Sequence, residues 1–226
     1  MTDHSEQSTY RISPAQLSLR ELLLVIAVVA LAAGYFLSAR RLQTAETELE
    51  KLRTEFGYLE PSEPNQVAAV RVPSDQPLTY RFRVRVPKTN RYRVTYSSIW
   101  EQGESGPTWF AAAPVAAGES LIIVRVMKDP RDDLWKITAI VQSDSGTIRV
   151  GSVLPEEHSR VFRRSADAIS AGIDRKTVAV SKDKSLRLLD EKWLVGEGSL
   201  MLYCNRPPEQ DQIGIFAELQ PDVGTL

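Results

Sequence analysis

Three hydrophobic rhythms follow one another along the chain, and each predicts a different kind of structure. Residues 22–39 read LLLVIAVVALAAGYFLSA, eighteen positions without a charge, bounded by Glu21 on one side and Arg40 and Arg41 on the other. A run that is apolar on every side predicts a transmembrane helix, because a core helix carries its apolar residues as a stripe. From residue 42 the apolar positions thin to Leu42, Ala45, Leu49, Leu52, Phe56 and Leu59, with spacings of 3, 4, 3, 4 and 3. That is the a/d seam of a coiled coil, and Gly57 and Pro61 predict its end. Beyond residue 66 the period becomes two. Tyr80, Phe82, Val84 and Val86 alternate with Arg81, Arg83 and Arg85, and Tyr92, Val94 and Tyr96 alternate with Arg91, Arg93 and Thr95. Such alternation predicts half-buried strands.

The expected organisation is a polar tail (1–21), a transmembrane helix (22–39), a coiled-coil stalk (40–60), a linker (61–66) and a β-rich globular domain (67–226). Turn composition at 87–90 predicts a hairpin joining the two arginine-bearing strands. A second hairpin is expected from 121–127 and 134–141 around the turn 129–132, and 144–146 turns the chain into 147–154. Residues 103–107 and 111–118 read as loops, and 156–171 as the one helix of the head. Short strands are expected at 177–181, 185–189, 199–204 and 212–219. The fold class is mainly β: an antiparallel sandwich or barrel-like domain with one helix, behind a transmembrane helix and a short stalk.

Both leading segments offer a parallel contact. Ala30, Gly34 and Ser38 follow the small-xxx-small spacing that lets membrane helices approach closely. In a parallel dimer the seam pairs Arg41 with Glu46 and Glu48 with Arg53, while Glu55 meets Glu60 unfavourably. The expected partners are therefore the lipid bilayer and a second copy of the chain. The alternative is one amphipathic helix lying along the head, since fewer than three heptads make a short coiled coil. A cleaved signal peptide competes with the retained anchor, with residues 30–32 as its cleavage site, but apolar residues continue through Leu37. Arg40, Arg41, Lys51 and Arg53 outnumber Arg11 and Arg20 and favour a cytoplasmic head. The short tail before the first apolar segment favours export, so sidedness stays open.

SLRELLLVIAVVALAAGYF, the coil ending LRTEFGYLE, and YRFRVRVP together resemble a recurrent type of single-pass protein from planctomycete bacteria. The match covers mostly the first ninety residues. It implies a tail, an anchor, a small coiled coil ending near Gly-Tyr-Leu and a β-rich domain, placed in a bacterial inner membrane. It brings no activity and no functional residues.

Composition changes this picture little. A net charge of -1 and 25% charged residues point to no particular partner class. The single cysteine, Cys204, excludes an intramolecular disulfide. Locally, Arg71, Arg81, Arg83, Arg85, Lys88, Arg91 and Arg93 face Asp75 alone between residues 66 and 98. If the hairpin holds, Arg81, Arg83, Arg85, Arg91 and Arg93 share a face that would bind lipid headgroups or an acidic polymer; nucleic acid is disfavoured. The competing reading is neutralisation by Glu197, Glu209, Asp211, Glu218 and Asp222, set against Arg206 in the final stretch.

Catalytic and metal-binding patterns are weak. Asp129, Asp132 and Asp133 lack the spacing of a calcium loop and read as a turn. Glu156, Glu157 and His158 suit a helix start. Ser152 and Ser199 lie near glycines but outside a Gly-x-Ser-x-Gly elbow. A hydrolase using His158 with a carboxylate or Cys204 is the third reading. His4 lies in the tail, and no cofactor or metal is expected.

Overall fold

The computed structural model describes residues 19–164, 168–193 and 212–224. In chain order they form α1 (Leu19–Phe56), β1 (Gln66–Val72), β2 (Thr79–Val86), β3 (Tyr92–Trp100), β4 (Ala111–Val115), β5 (Gly118–Lys128), β6 (Trp135–Ser143) and β7 (Gly146–Val153). Then follow α2 (Glu156–Arg164), β8 (Ala168–Gly172), β9 (Val178–Ser181), β10 (Leu186–Trp193) and β11 (Gln212–Pro221). The chain divides between Glu50 and Lys51 into two units.

In the first unit α1 begins, and no residue of the whole helix is buried. It is long and apolar enough to cross a membrane. The helix ends in the second unit, where glycine is needed. Gly57 has φ +61°, and the Tyr58 N–H donates to the Arg53 carbonyl at 2.8 Å, closing the last turn. A Cβ on Gly57 would also lie 2.7 Å from Val72 Cγ2. Leu59, expected in the seam, lies outside the helix and is 4% exposed, packed with Ala68 and Val70 of β1. The helix therefore stops at Phe56, because the turn at Gly57 delivers Leu59 to the sheet.

The head consists of two antiparallel sheets over one core. One has the order β7-β6-β5-β2-β1-β9, the other β4-β3-β11-β10-β8. Tyr80, Phe82, Val84, Ile122, Val124 and Ile137 of the first meet Tyr92, Val94, Tyr96, Leu188, Ile215 and Leu219 of the second. α2 joins the core through Phe162, whose ring stands edge-on to Trp193 at 5.5 Å.

The hairpins β5–β6 and β6–β7 form as expected. The hairpin expected between β2 and β3 does not. β2 pairs with β5 from Thr79 to Val86 and with β1 on its other edge, so it has no edge left for β3. β3 crosses to the other sheet, between β4 and β11. Residues 111–115 are an edge strand rather than a loop; Pro114 is tolerated because an edge needs no donor on its outer side. β1, not anticipated, occupies residues 66–72 beside β2. The expected helix 156–171 stops at Arg164, and Ala168–Gly172 instead pairs with β10. The strand expected at 199–204 lies outside the described residues.

Candidate binding surface

On β2 the even positions enter the core, so Arg81, Arg83 and Arg85 share the outer face of the six-stranded sheet. Arg91 and Arg93 are not with them. Arg93 lies on the other sheet, opposite Gln220, and Arg91 is an exposed residue before β3. The five-arginine face expected from a hairpin is thus split, because β2 and β3 belong to different sheets.

The arginines also differ in partners. The Arg85 guanidinium donates to Glu119 (2.6 Å), the Glu60 carbonyl (3.0 Å) and the Ser62 hydroxyl (3.3 Å). Glu60 N–H in turn donates to Thr177 Oγ1 at 3.0 Å. Glu60, expected at the end of the stalk, and Ser62, in the expected linker 61–66, are therefore both tied to the sheet. Arg93 meets Asp222 at 3.6 Å and donates to the Gly224 carbonyl, so the C-terminal acid expected as a counter-charge reaches this arginine. Glu218 instead pairs with Arg187 at 2.7 Å.

Arg81 and Arg83 have neither an ion pair nor a hydrogen-bonded acceptor among the described residues. Their cross-strand neighbours on β5 are Ile123 and Leu121, and Arg125 stands two residues beyond Ile123 on the same face. Ile123 faces Ile140 of β6, which faces Arg149 of β7. Arg125 and Arg149 also lack a carboxylate partner among the described residues. The Nε atoms of Arg81 and Arg125 are buried without an acceptor. Sequence reasoning missed Arg125 and Arg149; the signal was Arg125 interrupting the apolar run of β5 at the same period-two phase as Leu121 and Ile123.

Clefts open elsewhere among the described residues. One of about 360 Å³ is lined by Arg71, Ser74, Asp75, Thr79, Asp174 and Arg175. Arg71 donates to Ser170 at 3.3 Å and covers the Tyr80 ring at 5.3 Å. Behind it the Tyr80 hydroxyl donates to the buried Glu191 carboxylate, and burial together with that negative charge pushes the phenol well above its ordinary pKa. The second cleft, of about 460 Å³, lies among Lys128, Leu134, Trp135, Leu154, Glu156 and Arg163.

Of the catalytic candidates, the described residues include His158 and Ser152. His158 Nδ1 lies 2.6 Å from Ser98 Oγ, but Ser98 is 0% exposed and offers no surface to an external substrate. Ser152 lies 3.2 Å from the Tyr96 hydroxyl. Lys136 bridges Asp129 (3.0 Å) and Asp132, and Lys128 reaches Asp133 at 2.6 Å. The Arg131 N–H and the Lys136 ammonium hold Asp129 below the usual carboxylate range. The three aspartates thus close a hairpin turn. Among the described residues no group of three or more His, Cys, Asp or Glu is placed to hold a metal ion. Cys204, Ser199, His4, Glu197, Arg206, Glu209 and Asp211 lie outside the described residues.

Burial lowers the His158 pKa, opposed by the Glu157 charge. The unfolded chain therefore takes up the proton more readily than the folded one. Stability is full above about pH 6.5, the ordinary imidazole value, and is lost as the pH falls below it. Thermal unfolding of the wild type and of a His158→Asn variant at pH 7.5 and 5.5 checks this. The wild type should lose more stability than the variant; parallel losses would remove His158 as the cause.

No protein-family model matches the chain, and neither does any curated protein or solved structure.

Proposed function

We propose that the protein is a non-enzymatic, single-pass membrane protein that presents its β-rich head as an interaction module on a dimeric stalk. One observation carries the reading: α1 runs from Leu19 to Phe56 without a buried residue. Its exposed apolar side chains continue past the membrane segment at Leu42, Leu49, Leu52 and Phe56, which are 61%, 47%, 52% and 68% exposed. A solvated helix gains nothing from such a row, whereas a parallel partner would bury it. Ala30, Gly34 and Ser38 allow the same pair to close within the bilayer. The head fits display, since its serine–histidine pair is sealed and its acidic turn is neutralised internally.

Cysteine crosslinking of the full chain in native membranes, in a Cys204→Ser background, tests the stalk. Leu49→Cys and Leu52→Cys should each trap a dimer, while Thr47→Cys, on the far side of the helix, should not. Equal or absent crosslinking at all three positions overturns the register. Recovery of the mature protein without residues 22–39 would replace the anchor with a cleaved signal.

A further inference from the structure

We propose that the outer face of β2, β5 and β6 is the docking site for an extended acidic segment of a partner protein, with Arg81, Arg83 and Arg125 as its recognition residues. The proposal rests on reading the head as an interaction module and names the chemistry of what it binds.

Charge is the first argument. Three guanidiniums stand on neighbouring strands with no carboxylate partner among the described residues. Glu119 is the one acid on this face of the three strands, and Arg85 holds it at 2.6 Å. Like charges on adjacent strands repel. Burial of the Arg81 and Arg125 Nε atoms without an acceptor adds a desolvation cost that nothing within the described chain offsets. A carboxylate arriving from outside relieves the repulsion, and it can engage a guanidinium through its Nη groups by two parallel hydrogen bonds.

The neighbouring residues select among acidic ligands. Leu121, Ile123 and Ile140 lie between the arginines, each half-buried, and the face of these strands carries no aromatic ring. Bases and sugar rings lack a stacking platform here, and a phospholipid interface lacks the Trp or Tyr that anchors proteins at headgroup level. Aliphatic patches between cations instead complement a chain with aliphatic side chains between carboxylates. The repeat agrees: alternate residues of β2 lie about 6.6 Å apart, as do alternate residues of an extended peptide. Arg81 and Arg83 thus match two acids separated by one residue, and Arg125, displaced toward β5, takes a third.

The test uses the full chain in zwitterionic nanodiscs and a fluorescent peptide of about twelve residues with Glu at alternate positions and Val and Ser between. Anisotropy should show saturable binding that weakens as salt rises. The variant Arg81→Gln/Arg83→Gln/Arg125→Gln should lose about tenfold or more in affinity. Lys88→Gln/Arg91→Gln/Lys184→Gln removes the same charge from exposed loops and should bind as the wild type does. Equal loss in both triple variants would reduce the effect to net charge and overturn the site. So would undiminished binding by the first variant. Tighter capture of single-stranded DNA, sulfated oligosaccharide or anionic vesicles, abolished by the first variant, would overturn the assignment to a protein segment. Arg83→Gln alone, with unchanged thermal unfolding, separates lost binding from lost fold. The crosslinking outcome above does not depend on any of these results.

Discussion

Replacing Gly214 with alanine should destabilise the head by at least about 3 kcal/mol, more than an ordinary overpacking substitution. A Cβ at this position would stand 2.2 Å from the Glu191 carbonyl oxygen on β10 and 2.6 Å from Cζ of Phe216. The first contact is with backbone, which cannot rotate away. The second is with a ring already fixed edge-on against Trp100 at 5.9 Å, and Trp100 is in turn covered by the Lys192 ammonium at 4.5 Å. Glycine weakens most strands; here it lets β11 pass β10 while Phe216 folds back over it. Denaturant unfolding of the full chain in detergent, followed by tryptophan fluorescence, measures the loss. Adding Phe216→Ala to Gly214→Ala should restore little, because the carbonyl clash persists. Near-complete recovery in the double variant would show that the ring, and not the backbone, sets the limit.

Tyr80→Phe should cost about 3 kcal/mol, a large effect for the loss of one oxygen. Glu191 is 7% exposed on the core side of β10, and the Tyr80 hydroxyl is its hydrogen-bond donor. Phenylalanine keeps the ring and its packing but leaves a buried carboxylate without a donor, and that uncompensated charge carries the cost. Tyr80→Phe/Glu191→Leu should therefore be more stable than Tyr80→Phe alone, since replacing both polar groups removes the penalty. Urea unfolding midpoints of the three proteins decide this. A double variant no better than the single one would mean that ring position, not the orphaned carboxylate, is what matters.

The alternation in residues 79–86 was legible because a period of two assigns each side chain to a face whatever the neighbouring strand. Arg81, Arg83 and Arg85 were therefore placed on one face correctly. Their companions were not, because alternation says nothing about pairing. Two runs with the same phase, separated by a turn, fit a hairpin as well as they fit two sheets. The eight-pair ladder of β2 with β5, thirty-nine residues from Thr79 to Gly118 in sequence, is what decided the matter. Arg125 joined the site by that ladder alone. Arg85, alike in sequence to Arg83, left it because Glu60, Ser62 and Glu119 surround its guanidinium. The same limit explains Leu59, whose spacing continued the heptad pattern although the positive φ of Gly57 turns the chain into the head.

The amino-acid order by itself determined a helix of membrane-spanning length, its continuation past the uncharged segment, and a β-rich head with the β5–β6–β7 meander. These follow from local rules: uniform apolarity, helical or two-residue period, and turns of two to six residues between neighbouring strands. Only the tertiary structure decided that β2 and β3 part, that residues 111–115 and 168–172 become edge strands, and that Tyr80 and Glu191 meet in the core. It also decided which arginines lack a carboxylate partner among the described residues. Each of these is a contact between residues far apart in the chain, set by which edge and which face remain available after the local elements form, and no short pattern encodes that competition.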